Sequence, residues 1–196
     1  MRSDLGSTIE TERLVIRPWA LDEIDRFFDI YRREEVSRWF SGAPMRDREQ
    51  AVERMERGLA ALAENPRLGS WAVVERQTGV PAGTVLLKPL PDGAGEIEIG
   101  WHLHPDRWGR GYASEAAGAL LARGFADGLE EIWAVVDPAN DRSIAVCRRI
   151  GMRLLGITER WYHEPSMLFW AGATDAQSPS LSAERPAPPD RRDARA

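Results

Sequence analysis

Three stretches between Ser70 and Leu103 constrain this chain most. "SWAVVER" (70–76), "GTVLLKPL" (83–90) and "EIEIGWHL" (96–103) all have strand composition, and only "QTGVPA" and "PDGAG" separate them. Gly, Pro and Asp at such short intervals are turn chemistry, so the strands follow one another with antiparallel character. The third alternates acid and apolar residues, as a half-solvated strand does and a buried parallel run does not. Such a run of strands, with helices elsewhere in the chain, argues for an α+β fold and against a regular doubly wound sheet.

The flanking segments complete the order. "ERLVIRPW" (12–19) alternates and reads as a strand. Leu21, Ile24, Phe27, Phe28 and Tyr31 share one helical face. Asp47 and Gln50 make a capping-box-like start for a second helix, with Val52, Met55, Leu59 and Leu62 at helical spacing and Asn65-Pro66 as its stop. A helix is expected over 111–126, a strand over 131–137, and a short helix over 140–150 ended by Gly151. "MRLLGITERWY" and "SMLFWAG" read as the last two strands. The expectation is a mixed, mainly antiparallel sheet of six to seven strands with helices on both faces.

A chain of 196 residues is long enough for one domain and a tail. The expected division is a flexible N-terminus over 1–9, one folded domain over 10–171 and a disordered tail over 172–196, where Ala, Pro, Ser, Asp and Arg dominate. The tail holds four arginines and four acids, so the folded part carries the whole net charge of −5. That argues against a general nucleic-acid binder and is compatible with an amine-bearing partner. The single cysteine, Cys147, rules out an internal disulfide framework and fits a reducing cytoplasm. No apolar run approaches the ~18 residues of a membrane helix, and no secretory leader is read at the N-terminus.

Gly109 and Gly111 sit directly before the helix over 111–126. A helix N-terminus presents unpaired N–H groups and a positive partial charge, and glycines let a ligand approach the backbone. A phosphate or pyrophosphate is the natural guest, with Arg107 and Arg110 adding charge. A plain tight turn is the competing reading. The Walker pattern is absent, and the dinucleotide pattern lacks its third glycine, which is Ser114.

"ETERLVIRPW", "EIGWHLHPDRWGRGYASEA" and "NDRSIAVCRRIGMRLLG", in this order and at these separations, resemble the GNAT superfamily of acetyl-CoA-dependent N-acetyltransferases over about residues 10–171. The resemblance is nearest to the branch that acetylates ribosomal-protein N-termini at alanine or serine. The family's pyrophosphate motif, Gln/Arg-x-x-Gly-x-Gly/Ala, lands on Trp108, Gly109, Arg110, Gly111, Tyr112 and Ala113, with Ser114 following; Trp108 departs from its first position. The resemblance implies acetyl-CoA as co-substrate and a pantetheine arm lying between the splayed strands 96–103 and 131–137. It also implies an oxyanion donor on the backbone of Trp101, His102 or Leu103, Asn140 on the pantetheine arm, and direct attack by an amine.

For the proton acceptor the candidates are Glu98 and Glu96, two apart on one strand face, and Glu159, placed by the resemblance; a solvated strand face explains each equally well. For the proton on sulfur, the resemblance points to Ser143, because the family's usual tyrosine is here Cys147. Tyr112 and Tyr162 are further candidates. Asn140 is also a good helix N-cap. His102 and His104 share a strand face without a third ligand at metal-site spacing, so no metal is expected. The eight tryptophans read as core or pocket wall, with Trp39 and Phe40 near the acceptor region. Two other functions stay open: a non-catalytic acyl-CoA-binding module and a dinucleotide-dependent oxidoreductase. The acceptor amine cannot be chosen between a protein N-terminus and a small molecule, and the protein is expected as a monomer or homodimer.

Overall fold

The computed structural model describes residues 8–40 and 43–174. Eight strands form a single sheet: β1 (Ile9–Glu10), β2 (Leu14–Arg17), β3 (Gly69–Glu75), β4 (Pro81–Pro89), β5 (Ile97–Leu103), β6 (Glu131–Val136), β7 (Arg153–Thr158) and β8 (Ser166–Gly172). Their order across the sheet is β1-β2-β3-β4-β5-β6-β8-β7. Every neighbouring pair is antiparallel except β5–β6, which is parallel. The helices are α1 (Ile24–Tyr31), α2 (Glu34–Ser37), α3 (Arg48–Glu64), α4 (Tyr112–Ala126) and α5 (Asp141–Arg149).

The mixed, mainly antiparallel α+β architecture agrees with the sequence reading, but the strand count exceeds it. The added strand is the two-residue β1, which pairs with β2 through Ile9 and Ile16. Ile9 and Gly172 lie in strands, one residue outside the expected domain bounds at each end. Residues 1–7 and 175–196, on which most of the expected N-terminal segment and tail fall, lie outside the described residues. The strand expected over 12–19 shrinks to 14–17, because the Thr11 hydroxyl caps the Leu14 N–H in a turn and Pro18 has no N–H to offer. The four-residue α2 is too short for its periodicity to show in the sequence.

Alternation along β3 sets the two layers. Trp71 and Val73 point into the larger core with α4, while Ala72 and Val74 face Trp19, Ile24, Phe27 and Tyr31 on the side of α1, α2 and α3. α4 and α5 cover the first face through Ala116, Ala117, Leu120, Ile144 and Cys147. The capping signal at α3 is realised: the Asp47 carboxylate accepts the Gln50 N–H at 2.9 Å, and the Gln50 side chain reaches back to the Arg46 N–H. Among the described residues, no helix is long and apolar enough to cross a membrane.

Candidate active site

β5 and β6 meet at one register pair, Glu98 with Trp133, and then part. The opening is a cleft of about 1320 Å³ walled by the C-terminal half of β5, by β6, by the first turns of α4 and α5, and by the end of α2. The β4–β5 register decides what β5 offers to it. The His104 N–H bonds the Ala82 carbonyl, and Thr84 lies opposite His102. Alternation in an antiparallel ladder then turns the N–H groups of Trp101 and Leu103 away from β4 and into the gap. The N–H of His102 faces β4, so His102 cannot serve there as a backbone donor. The Leu103 carbonyl is taken by the Trp108 indole N–H at 2.8 Å. Trp108, at the departing motif position, thereby ties the glycine turn to the end of β5.

At one end of the cleft stands the N-terminus of α4. Gly109 and Gly111 have φ of 76° and 79°, a left-handed conformation that favours glycine. A Cβ on Gly109 would meet nothing within 4 Å. No side chain caps this helix, and its first internal bond is made by the Glu115 N–H. The N–H groups of Tyr112, Ala113 and Ser114 therefore have no partner within the helix and stand beside the cleft. Arg149 donates to the Ser114 hydroxyl at 3.4 Å, and the Arg142 guanidinium lies 4.5 Å from the Trp108 ring centroid. This end suits a phosphorylated group. Arg110 is not part of the wall: its side chain runs toward Glu75, 3.7 Å away, and its carbonyl accepts from Arg13.

Further along, Asn140 and Ser143 line the cleft together. The Asn140 side chain accepts the Ser143 N–H at 3.1 Å, so the N-cap reading holds. The Ser143 hydroxyl has no hydrogen-bond partner among the described residues. Cys147 is fully buried in the core, and burial pushes its thiol up to about 12, so it acts as a small hydrophobe rather than a proton donor.

Of the three glutamates, the structure brings only Glu98 into the cleft. It is buried, accepts the Tyr162 hydroxyl at 2.6 Å, and lies 3.3 Å from Lys88 Nζ. Lys88 also donates to the Tyr162 oxygen at 3.1 Å, closing a triangle. Burial, with the charge and hydrogen bond of Glu98, pushes the Tyr162 phenol well above its ordinary range, so it stays protonated. Glu96 is bound to Arg160 at 2.7 Å, outside the cleft. Glu159, directly after β7, is exposed and does not line the cleft. The Tyr112 hydroxyl is engaged by buried Glu75, which takes it out of contention as an acid.

The sequence reading missed Lys88 altogether. The pairing Lys88–Glu98 follows from the β4–β5 register, and the short turn between the two strands was the signal that could have found it. Trp39, Phe40, His102 and Arg54 form a further part of the cleft wall. The Tyr31 hydroxyl is 3.2 Å from His102 Nδ1, and Phe40 lies against the same ring at 4.5 Å between centroids. Burial first, then the positive charges of Arg54 and Lys88, hold the His102 imidazole neutral with a pKa of about 3. His104 is bound to Asp29 at 2.9 Å instead. All eight tryptophans are either buried or line the cleft, as expected.

The domain described as "Acetyltransferase (GNAT) domain" matches residues 13–153 of this chain. The N-acetyltransferase YoaA of Bacillus subtilis, itself uncharacterized, is 29% identical over 157 residues, covering 80% of this chain and 88% of that protein. Among solved structures, RimJ of Mycobacterium smegmatis in complex with CoA-disulfide superposes with a TM-score of 0.74 at 22% identity, covering 91% of this chain and 93% of that one. The ribosomal-protein-S5-alanine acetyltransferase of Vibrio fischeri gives a TM-score of 0.71 at 20% identity, covering 87% and 98%. At these identities the two structures speak to the fold.

Proposed function

The chain belongs to the GNAT acetyltransferases, and from that premise we propose that it moves an acetyl group from acetyl-CoA to a primary amine by direct attack. Membership removes the dinucleotide-dependent oxidoreductase as a reading. The observation that carries the proposal is the cleft itself, which runs without interruption from the bare N–H groups of α4 to buried Glu98.

The residues fit the co-substrate along its length. The α4 turn, with Arg149 and Arg142, receives the pyrophosphate. The gap between β5 and β6 leaves Trp101 and Leu103 backbone groups to pair with an extended pantetheine arm, as an added strand would. Asn140 borders that arm. Acetyl-CoA supplies a thioester whose acetyl carbon accepts the amine. As the N–C bond forms and the C–S bond breaks, Glu98 takes the proton leaving the amine, with Tyr162 and Lys88 fixing the carboxylate. The Trp101 N–H faces the carbonyl oxygen. The free Ser143 hydroxyl gives a proton to the departing sulfur. Holding amine and thioester in line supplies much of the rate. The acceptor is a protein N-terminus or a small-molecule amine; the Vibrio fischeri neighbour, named for ribosomal protein S5 alanine, favours the former. Its setting is the reducing cytoplasm that free Cys147 fits.

The test is thiol release from acetyl-CoA with a panel of amines and N-terminal peptides, with Gly111→Trp as control. Gly111 has φ of 79° and a Cβ there would lie 3.3 Å from Arg13 Nη2, so the variant closes the turn. Amine-dependent release that the variant loses supports the transferase. Acetyl-CoA binding by calorimetry without release on any amine favours a binding module, and no binding at all overturns the proposal.

A further inference from the structure

The protein is acidic overall, yet the wall of its cleft beside His102 is cationic. Arg54 projects from α3, half-buried, with its guanidinium 4.4 Å from the Tyr31 ring centroid and 5.4 Å from that of Phe40. Both rings pack on His102, which places the guanidinium beside the cleft wall. No acid pairs with Arg54 among the described residues. The other acids of the wall do not answer it: Glu98 is committed to Lys88 and Tyr162, and Glu164, Asp137 and Asp141 form no ion pair with Arg54. Arg38, also on the wall, lies over Trp39 without an acidic partner among the described residues.

A second observation concerns the same cleft. Ser37 is 1% exposed and lines the cleft, and its hydroxyl has no hydrogen-bond partner among the described residues. A buried hydroxyl without a partner costs stability, and a half-buried guanidinium set against two rings keeps its N–H donors for an anion. Neutral His102 adds no acceptor charge to the wall.

We propose that this part of the cleft wall is an anion site, and that the acceptor is an amine carrying a carboxylate, bound by Arg54 and the Ser37 hydroxyl while its amine reaches Glu98. This rests on the acetyltransferase reading above. The rings that carry Arg54 pack on His102, four residues along the same face of β5 from Glu98, so the amine and the carboxylate of the acceptor are held apart. A peptide N-terminus followed by Glu carries both groups with such a separation.

The experiment compares capped peptides Ala-Glu-Phe-amide, Ala-Gln-Phe-amide and Ala-Lys-Phe-amide in the thiol-release assay, with wild type, Arg54→Gln and Arg54→Glu. The expected result is a kcat/KM for the Glu peptide roughly ten- to a hundredfold above the Gln peptide, as charge-assisted hydrogen bonds allow. The ratio falls toward one in Arg54→Gln and inverts toward the Lys peptide in Arg54→Glu, with most of the change in KM. Equal rates for all three peptides in the wild type, or an unchanged ratio in the variants, overturn the proposal. Glutarate titrated calorimetrically into the CoA-loaded protein reads the anion site apart from turnover. Binding lost in Arg54→Gln supports the site even if no peptide is acetylated, which would count against the transferase reading alone. No glutarate binding to the wild type overturns the site while leaving that reading intact.

Discussion

Glu98→Gln separates a chemical role from a structural one because the substitution keeps shape and removes only charge. The Tyr162 hydroxyl, 2.6 Å away, can still donate to the amide oxygen. What is lost is the attraction to Lys88, whose side chain is 46% exposed, at 3.3 Å. Solvent screening of so open a partner limits that loss to about 1 kcal/mol. In a domain of this size that is roughly 2–4 °C in Tm. Loss of a general base, in contrast, costs roughly 10²–10⁴ in rate. The assay is kcat/KM for the best amine at saturating acetyl-CoA, with Tm measured on the same samples. Tyr162→Phe and the double variant complete a cycle. If the hydroxyl works by fixing Glu98, the double variant is little worse than Glu98→Gln alone. Glu98→Gln retaining more than a tenth of wild-type activity would refute the assignment, and so would a fall in activity matched by collapse of the fold.

Three further outcomes are expected. Gly83→Ala puts a Cβ 2.3 Å from the His102 carbonyl oxygen and 2.6 Å from the Leu103 Cα, in the ladder that positions Glu98. Denaturant unfolding should show a loss of about 2–3 kcal/mol, and a loss under ~0.5 kcal/mol would contradict the packing. Burial alone would raise the Asp29 carboxyl, but hydrogen bonds from Arg32, Arg33 and His104 outweigh it and hold its pKa at about 2. A depressed carboxylate stabilises the fold above its unfolded value and loses that stabilisation as pH falls through the folded one. Asp29→Asn should therefore be less stable by about 2 kcal/mol at pH 7, with the gap closing between pH 4 and 2 in thermal melts; a gap independent of pH would count against this. Finally, the His102 ring should show no NMR titration between pH 8 and 5, its pKa being about 3, whereas a midpoint above 5 would mean the imidazole is wetter than the packing of Phe40 and Tyr31 implies.

The parts of the site that were legible in the sequence are those built within a few residues. The glycine turn before α4, the Asp47 cap and the Asn140 cap each depend on neighbours close in the chain, and each stands where the sequence put it. The three-strand run predicted α+β, because short turns allow only adjacent antiparallel pairing. The failures have the opposite character. Glu96, Glu98 and Glu159 were equivalent as letters, and tertiary contacts separated them: Arg160 holds Glu96 outside the cleft, Tyr162 holds Glu98 within it, and Glu159 stays exposed. His102 and Leu103 were grouped as backbone donors until the β4 register showed that only odd-numbered positions turn toward the gap.

By itself, then, the sequence determined the longer elements, the glycine turn before α4 and the family, since each is encoded by local spacing and backbone preference. Tertiary structure decided which of the three glutamates enters the cleft, that Lys88 and Tyr162 hold it, and that Arg54 stands on the wall without an acidic partner among the described residues. Those contacts join residues ten to more than sixty positions apart, on strands and helices whose relative placement is set by burial of the sheet faces rather than by any local signal.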